Sequence, residues 1–140
     1  MLSLGAVISA AGLGDAMGGV MIDLAGFEPG ADSLNVYKLG LISTVVGLLG
    51  SLHGTPAILT PLAARLAEAT GLSLDTVLMT QAPGFSTALL PYQSPPVIVA
   101  LGLSGIGQGP AARAMIALGL AAMLLLWPLD LVWWTVLGRI

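Results

Sequence analysis

Cysteine is absent from this chain of 140 residues. That excludes disulfides, thiolate catalysis and cysteine metal sites, and it leaves the compartment open. Charge is nearly as scarce, at 8% of residues, against roughly 25% in an ordinary globular domain. A soluble globular surface is therefore excluded. With a net charge of -3 and no basic patch, nucleic acid is excluded as a partner. No nucleophile–base pair, metal-ligand spacing or phosphate loop occurs, so the chain is not expected to be an enzyme. A basic start is missing too: Met1 is followed at once by apolar and small residues, unlike a signal peptide.

What is there is apolar and small: 56% hydrophobic residues and 19 glycines, a composition suited to helices that approach closely in lipid. The chain reads as an all-α membrane protein with one transmembrane region over 1–140 and the bilayer as its first partner. Residues 1–26 form a Gly-rich helical segment: a helix over 2–13, a bend at Gly12, Gly14, Gly18 and Gly19, and a second piece to about Ala25. Asp15 and Asp23 make a continuous lipid-facing span unfavourable, at roughly 2.5–3.5 kcal/mol for a carboxylate at mid-bilayer, and read as a solvated turn. Phe27–Lys38 is a polar connector with a turn at Pro29-Gly30.

The next stretch, 39–70, reads as a re-entrant hairpin. Leu39–Ala64 carries no full charge, yet Gly50-Ser51-Leu52-His53-Gly54-Thr55-Pro56 places breakers and hydrogen-bonding groups at its centre. Arms of about 11 residues, some 16 Å each, reach roughly halfway through a bilayer. Arg65–Asp75 is a connector in which Gly71 is a helix C-cap and Ser73 or Asp75 an N-cap.

Residues 76–103 read as a discontinuous helix. Pro91-Tyr92-Gln93-Ser94-Pro95-Pro96 interrupts it, because proline has no N–H and restricts the residue before it. Broken backbone at membrane depth is tolerated where it is buried in protein or lines a cavity, and paired breaks point to a transport site. The plainer alternative is a proline kink or an external loop. Ser104–Arg113 reads as a loop, and 114–138 as the final span, with Trp127, Trp133 and Trp134 toward its interfacial end and Asp130 emerging there; the alternative is that the tryptophans are simple packing residues.

Two breaks at mid-membrane can share one site. Half-helix N-termini favour anions, while unwound carbonyls and C-terminal ends favour cations such as sodium. The candidate solute-binding residues are His53, Gly54, Thr55, Gln93 and Ser94. The candidate cation ligands are Ser51, Thr55, Ser94 and Pro95. His53, the one histidine, is a proton carrier or anion ligand on this reading, with a plain hydrogen-bonded structural role as its alternative.

The order of these features in His53–Leu137 resembles the C-terminal repeat of the divalent anion/sodium symporters and the wider citrate- and arsenite-permease-like ion transporter superfamily. His53-Gly54-Thr55 falls on that family's Ser-Asn-Thr hairpin tip and retains Thr55. Ser94-Pro95-Pro96 is similar to its Thr-Pro-Pro-Asn motif, with Val97 in the asparagine position. Leu4–Met21 matches the preceding Gly-rich segment more loosely. The resemblance implies one repeat of an inverted-repeat, multi-pass transporter in the cell (inner) membrane, moving a small anion with sodium or a proton as the coupling ion and needing no other cofactor. It also implies a missing N-terminal repeat or second chain, and a homodimer in the complete protein. The alternative is a non-transporting scaffold, accessory subunit or degenerate transporter remnant.

Overall fold

A computed structural model describes residues 13–49 and 52–140. All but the last residue of the expected helix over 2–13, Gly50, and the candidate cation ligand Ser51 lie outside the described residues. What is described is all-helical, with no strand among the described residues.

Helix α1, Leu13–Ala25, runs unbroken through Gly14, Gly18 and Gly19, where a bend was expected. Packing explains the difference. Gly18 is buried, and a Cβ built on it would meet Leu62 at 3.6 Å and the Arg65 guanidinium at 3.8 Å. At Gly18 this contact offsets the roughly 1 kcal/mol that a glycine costs a helix. Asp23 is exposed.

Helix α2, Asp32–Leu49, begins inside the expected connector. Its polar first turns are helical because Asp32, Asn35 and Lys38 are each favourably placed. Asp32 lies at the positive end of the helix, Lys38 Nζ donates to the Gly26 carbonyl at 2.7 Å, and Asn35 is completely buried. Asn35 Nδ2 donates to the carbonyls of Glu28 (2.7 Å) and Thr70 (3.2 Å), and its Oδ1 accepts from Glu28 N–H at 3.3 Å. That side chain ties the start of α2 to the end of the second arm. After a tight turn at Leu52–Gly54, the second arm runs through α3 (Thr55–Leu59), a turn at Thr60–Leu62 and α4 (Ala63–Thr70). A helical hairpin results, its base at Asn35 and Thr70. Gly71 closes α4 at φ 75°, a left-handed conformation open to glycine, and Ser73 caps α5 (Leu74–Met79) by accepting from Thr76 N–H at 3.1 Å.

One face of α2 is built from small residues. Gly40, Ser43, Thr44 and Gly47 are all buried, at the i, i+3, i+4, i+7 spacing of a single helical face. Helix α6, Gln81–Ser86, lies against that face, and a Cβ on Gly84 would overlap the Ser43 side chain and meet its backbone carbon at 3.0 Å. Val36, Leu39, Leu59, Leu62, Leu66 and Val77 fill the core between the arms and α5.

The break after α6 spans Thr87–Ser94 and contains a tight turn at Pro91–Gln93. It begins earlier than expected, at Thr87 rather than Pro91, because the Thr87 hydroxyl donates to the Pro83 carbonyl at 2.6 Å and closes α6 there. Helix α7, Pro95–Ser104, follows with no buried residue. The last helix starts at Gln108, within the expected loop. It comprises α8 (Gln108–Ala121), a wide π turn at Ala122–Leu126 and α9 (Trp127–Val136). The wide turn sits just before Pro128, whose ring would clash with a regular i−4 carbonyl. Gln108–Val136 is the one described helix long and apolar enough to cross a membrane.

Candidate functional site

The register of the long helix against the hairpin sets the level of every candidate residue. Near one end, Thr76 Oγ1 donates to the Arg139 carbonyl at 3.1 Å, and Arg139 pairs with Asp75 at 2.7 Å. Further along, Tyr37 donates to the Met123 carbonyl at 3.1 Å and packs edge-on against Trp127, with ring centroids 5.2 Å apart. Gly40 admits the Trp127 ring, which would lie 3.0 Å from a Cβ there. Gly119, within one turn of the centre of Gln108–Val136, faces Leu89 and the Ala88 carbonyl of the break. Gly47 is two turns, about 10 Å, beyond Gly40 along α2, so it also lies level with the middle of the long helix.

At that level the two breaks meet. A Cβ on Gly47 would lie 3.3 Å from Thr55 Oγ1 and 3.6 Å from Gln93 Nε2. Thr55 and Gln93 are both completely buried. Gln93 Oε1 accepts from the N–H groups of Leu89 (2.8 Å) and Leu90 (2.7 Å), which fixes the orientation of the amide, since only its oxygen can accept. Its NH2 group is thereby turned toward Thr55 and Gly47, where Nε2 has no hydrogen-bond partner among the described residues. A buried donor without an acceptor costs about 1–3 kcal/mol, so the arrangement suits a bound acceptor atom. A second polar cluster lies beside it: Thr60 donates to Gln81 Oε1 at 3.3 Å, and Ser43 to the Gln81 carbonyl at 3.4 Å.

The other expected site residues are placed differently. His53 is exposed and packs edge-on against Phe85, with centroids 5.8 Å apart. In a tight three-residue turn, positions i and i+3 share a face; Leu52 and Thr55 take the inner one, and His53 points away. Gly54 is half-buried as the residue capping α3. Ser94 is half-buried, its side chain caps nothing, and Pro95 is exposed. The expected ring of free N–H groups at the start of α7 is missing: Pro95 and Pro96 have none, and Val97 and Ile98 donate to the Ser94 carbonyl at 3.0 and 3.2 Å. Arg113 is exposed. Among the described residues no group of His, Asp and Glu could hold a metal ion.

Sequence reasoning missed Gly47, Ser43 and Gln81 as partners of the site. The i, i+3, i+4, i+7 spacing of small residues in α2 was the signal that could have found the first two. An open groove of about 550 Å³ borders the break on the side away from the hairpin, lined by Leu90, Pro91, Tyr92, Ile98, Leu101 and Gln108 among others. Tyr92 stands between it and the hairpin, half-exposed, its hydroxyl donating to the Leu48 carbonyl. No protein-family model matches the chain, and no curated protein or solved structure matches it.

Proposed function

We propose that this chain is the C-terminal repeat of a multi-pass secondary transporter that moves a small anion together with sodium or a proton, completed by a second repeat or chain. The observation that carries the reading is the meeting of Thr55 and Gln93 at Gly47, with a buried, orientation-locked NH2 group left free to donate to a solute oxygen. Its level supports the same reading, near the centre of the one described helix long and apolar enough to cross a membrane. The apolar α7, with no buried residue, suits a surface against lipid or a completing repeat. Thr55 supplies hydroxyl oxygen to the coupling ion and Gln93 donates to the solute; the Ser94 carbonyl is taken by the Val97 and Ile98 N–H groups and Pro95 is exposed, so neither is given a part in binding. His53 faces away and takes no part in binding.

A scaffold or accessory subunit is the second reading, and the spent N–H groups at the start of α7 favour it. Uptake of labelled succinate, citrate, phosphate and sulfate into vesicles separates the two, measured with and without a sodium or proton gradient, for the chain with the repeat that completes it. Gln93→Glu retains the acceptor for Leu89 and Leu90 but replaces the donor with oxygen, and uptake should fall at least about tenfold. Thr55→Val removes one hydroxyl, worth about 0.5–1.5 kcal/mol, and should weaken cation dependence roughly three- to tenfold. Wild-type uptake in both variants, or no uptake of any probe by the completed protein, would leave the scaffold reading.

A further inference from the structure

We infer that Tyr92 is a door between the Gln93–Thr55 site and the groove beside the break, held shut by its hydroxyl bond to the Leu48 carbonyl. The inference rests on the transport reading and adds how its site is reached. Gln93 and Tyr92 are consecutive in one tight turn and face opposite environments: Gln93 has no exposure, whereas Tyr92 is 48% exposed and lines the groove. Their far ends nonetheless reach neighbouring residues of α2, since Gln93 Nε2 lies beside Gly47 and the Tyr92 hydroxyl bonds to Leu48. The phenol therefore bridges the break to the end of α2 on the groove side of the amide. The groove, about 550 Å³, exceeds the volume of a small anion, and pockets for small molecules run from about 300 Å³. Among the described residues, the side-chain bond that holds Tyr92 in this position is the single hydrogen bond from its hydroxyl to the Leu48 carbonyl, so opening needs one torsional swing and no unfolding of either arm. A solute oxygen entering past the ring would meet the unpartnered NH2 of Gln93, the group that lacks an acceptor while the door is shut.

The chain has no cysteine, so a single introduced thiol reports access directly. Thr55→Cys is close to isosteric at a position with no exposure, and its reaction with N-ethylmaleimide in phosphatidylcholine vesicles should be slow. Tyr92→Phe loses only the hydroxyl bond, and the labelling rate should rise about three- to tenfold, the equivalent of one neutral hydrogen bond. Tyr92→Ala removes the ring and should raise it further. Val77→Cys, placed in the core at 1% exposure, should stay unlabelled in all of these backgrounds. Equal protection of Thr55→Cys with and without Tyr92 overturns the door. So does a rise seen only in Tyr92→Ala, which discards the hydroxyl tether, or parallel labelling of Val77→Cys, which would mean general loosening. Labelling needs no uptake: the door can fail in a working transporter, and uptake can fail with the labelling pattern intact.

Discussion

Glycine 84 shows how little room the residues at the centre of this molecule have. It lies where α6 crosses the small face of α2, and an added methyl would have to displace Ser43 side-chain and backbone atoms together. Overpacking of that kind typically costs 1–3 kcal/mol. Gly84→Ala should therefore lower the thermal unfolding temperature of the detergent-solubilised protein, and Ser43→Ala in the same chain should recover part of the loss. Gly102 makes the comparison, because nothing lies within 4 Å of a Cβ there. Gly102→Ala should be neutral or stabilise α7 by ~0.5–1 kcal/mol. If both substitutions behave alike, the close crossing of α2 and α6 is not what holds the site together.

At the scale of elements, the hairpin depends on its base as much as on its tip. Asn35 touches Glu28 and Thr70 at once, using both amide hydrogens and its oxygen. Its removal strands the buried Thr70 carbonyl at a cost of about 1–3 kcal/mol. Asn35→Ala should speed hydrogen exchange at Gly71 and Leu72 before it affects the α5 amides, as expected of local opening. Uniform acceleration across the chain would instead mean that the two arms do not separate on their own. The broken helix has a different logic. Its arms are joined by Gln93, which caps the N–H groups of Leu89 and Leu90 and so satisfies backbone that lipid could not.

For the whole molecule, the charged groups at the ends of the hairpin arms set the expected orientation. Glu28, Asp32, Glu68, Asp75 and Arg139 lie around the Asn35–Thr70 base or the Asp75–Arg139 pair joined to it, while the hairpin tip is apolar or neutral. Cysteines placed singly at Ser33 and Glu68, both exposed, should react with an impermeant maleimide from the same face of sealed vesicles. Reaction from opposite faces would make 39–64 an ordinary span and remove the re-entrant hairpin. The Asp75–Arg139 pair is exposed on both sides, at 74% and 51%. It guides the register of the C-terminus without adding much stability, as exposed pairs rarely do.

Local chemistry alone made the helical class, the two breaks and the Gly71 and Ser73 caps legible. Proline lacks its N–H in any surroundings, and a scarcity of charge needs no neighbours to be read. Which helices run on depended on long-range contacts: α1 continues through Gly18 where that residue packs against Leu62 and Arg65, and α2 starts early because Asn35 and Lys38 find partners outside the helix. The site depended on the same kind of contact. That Thr55 and Gln93 meet, while His53 turns outward against Phe85, follows from helix crossing, hairpin closure and the phase of a three-residue turn. Those are sums over residues far apart in the chain, and only the tertiary structure decides them.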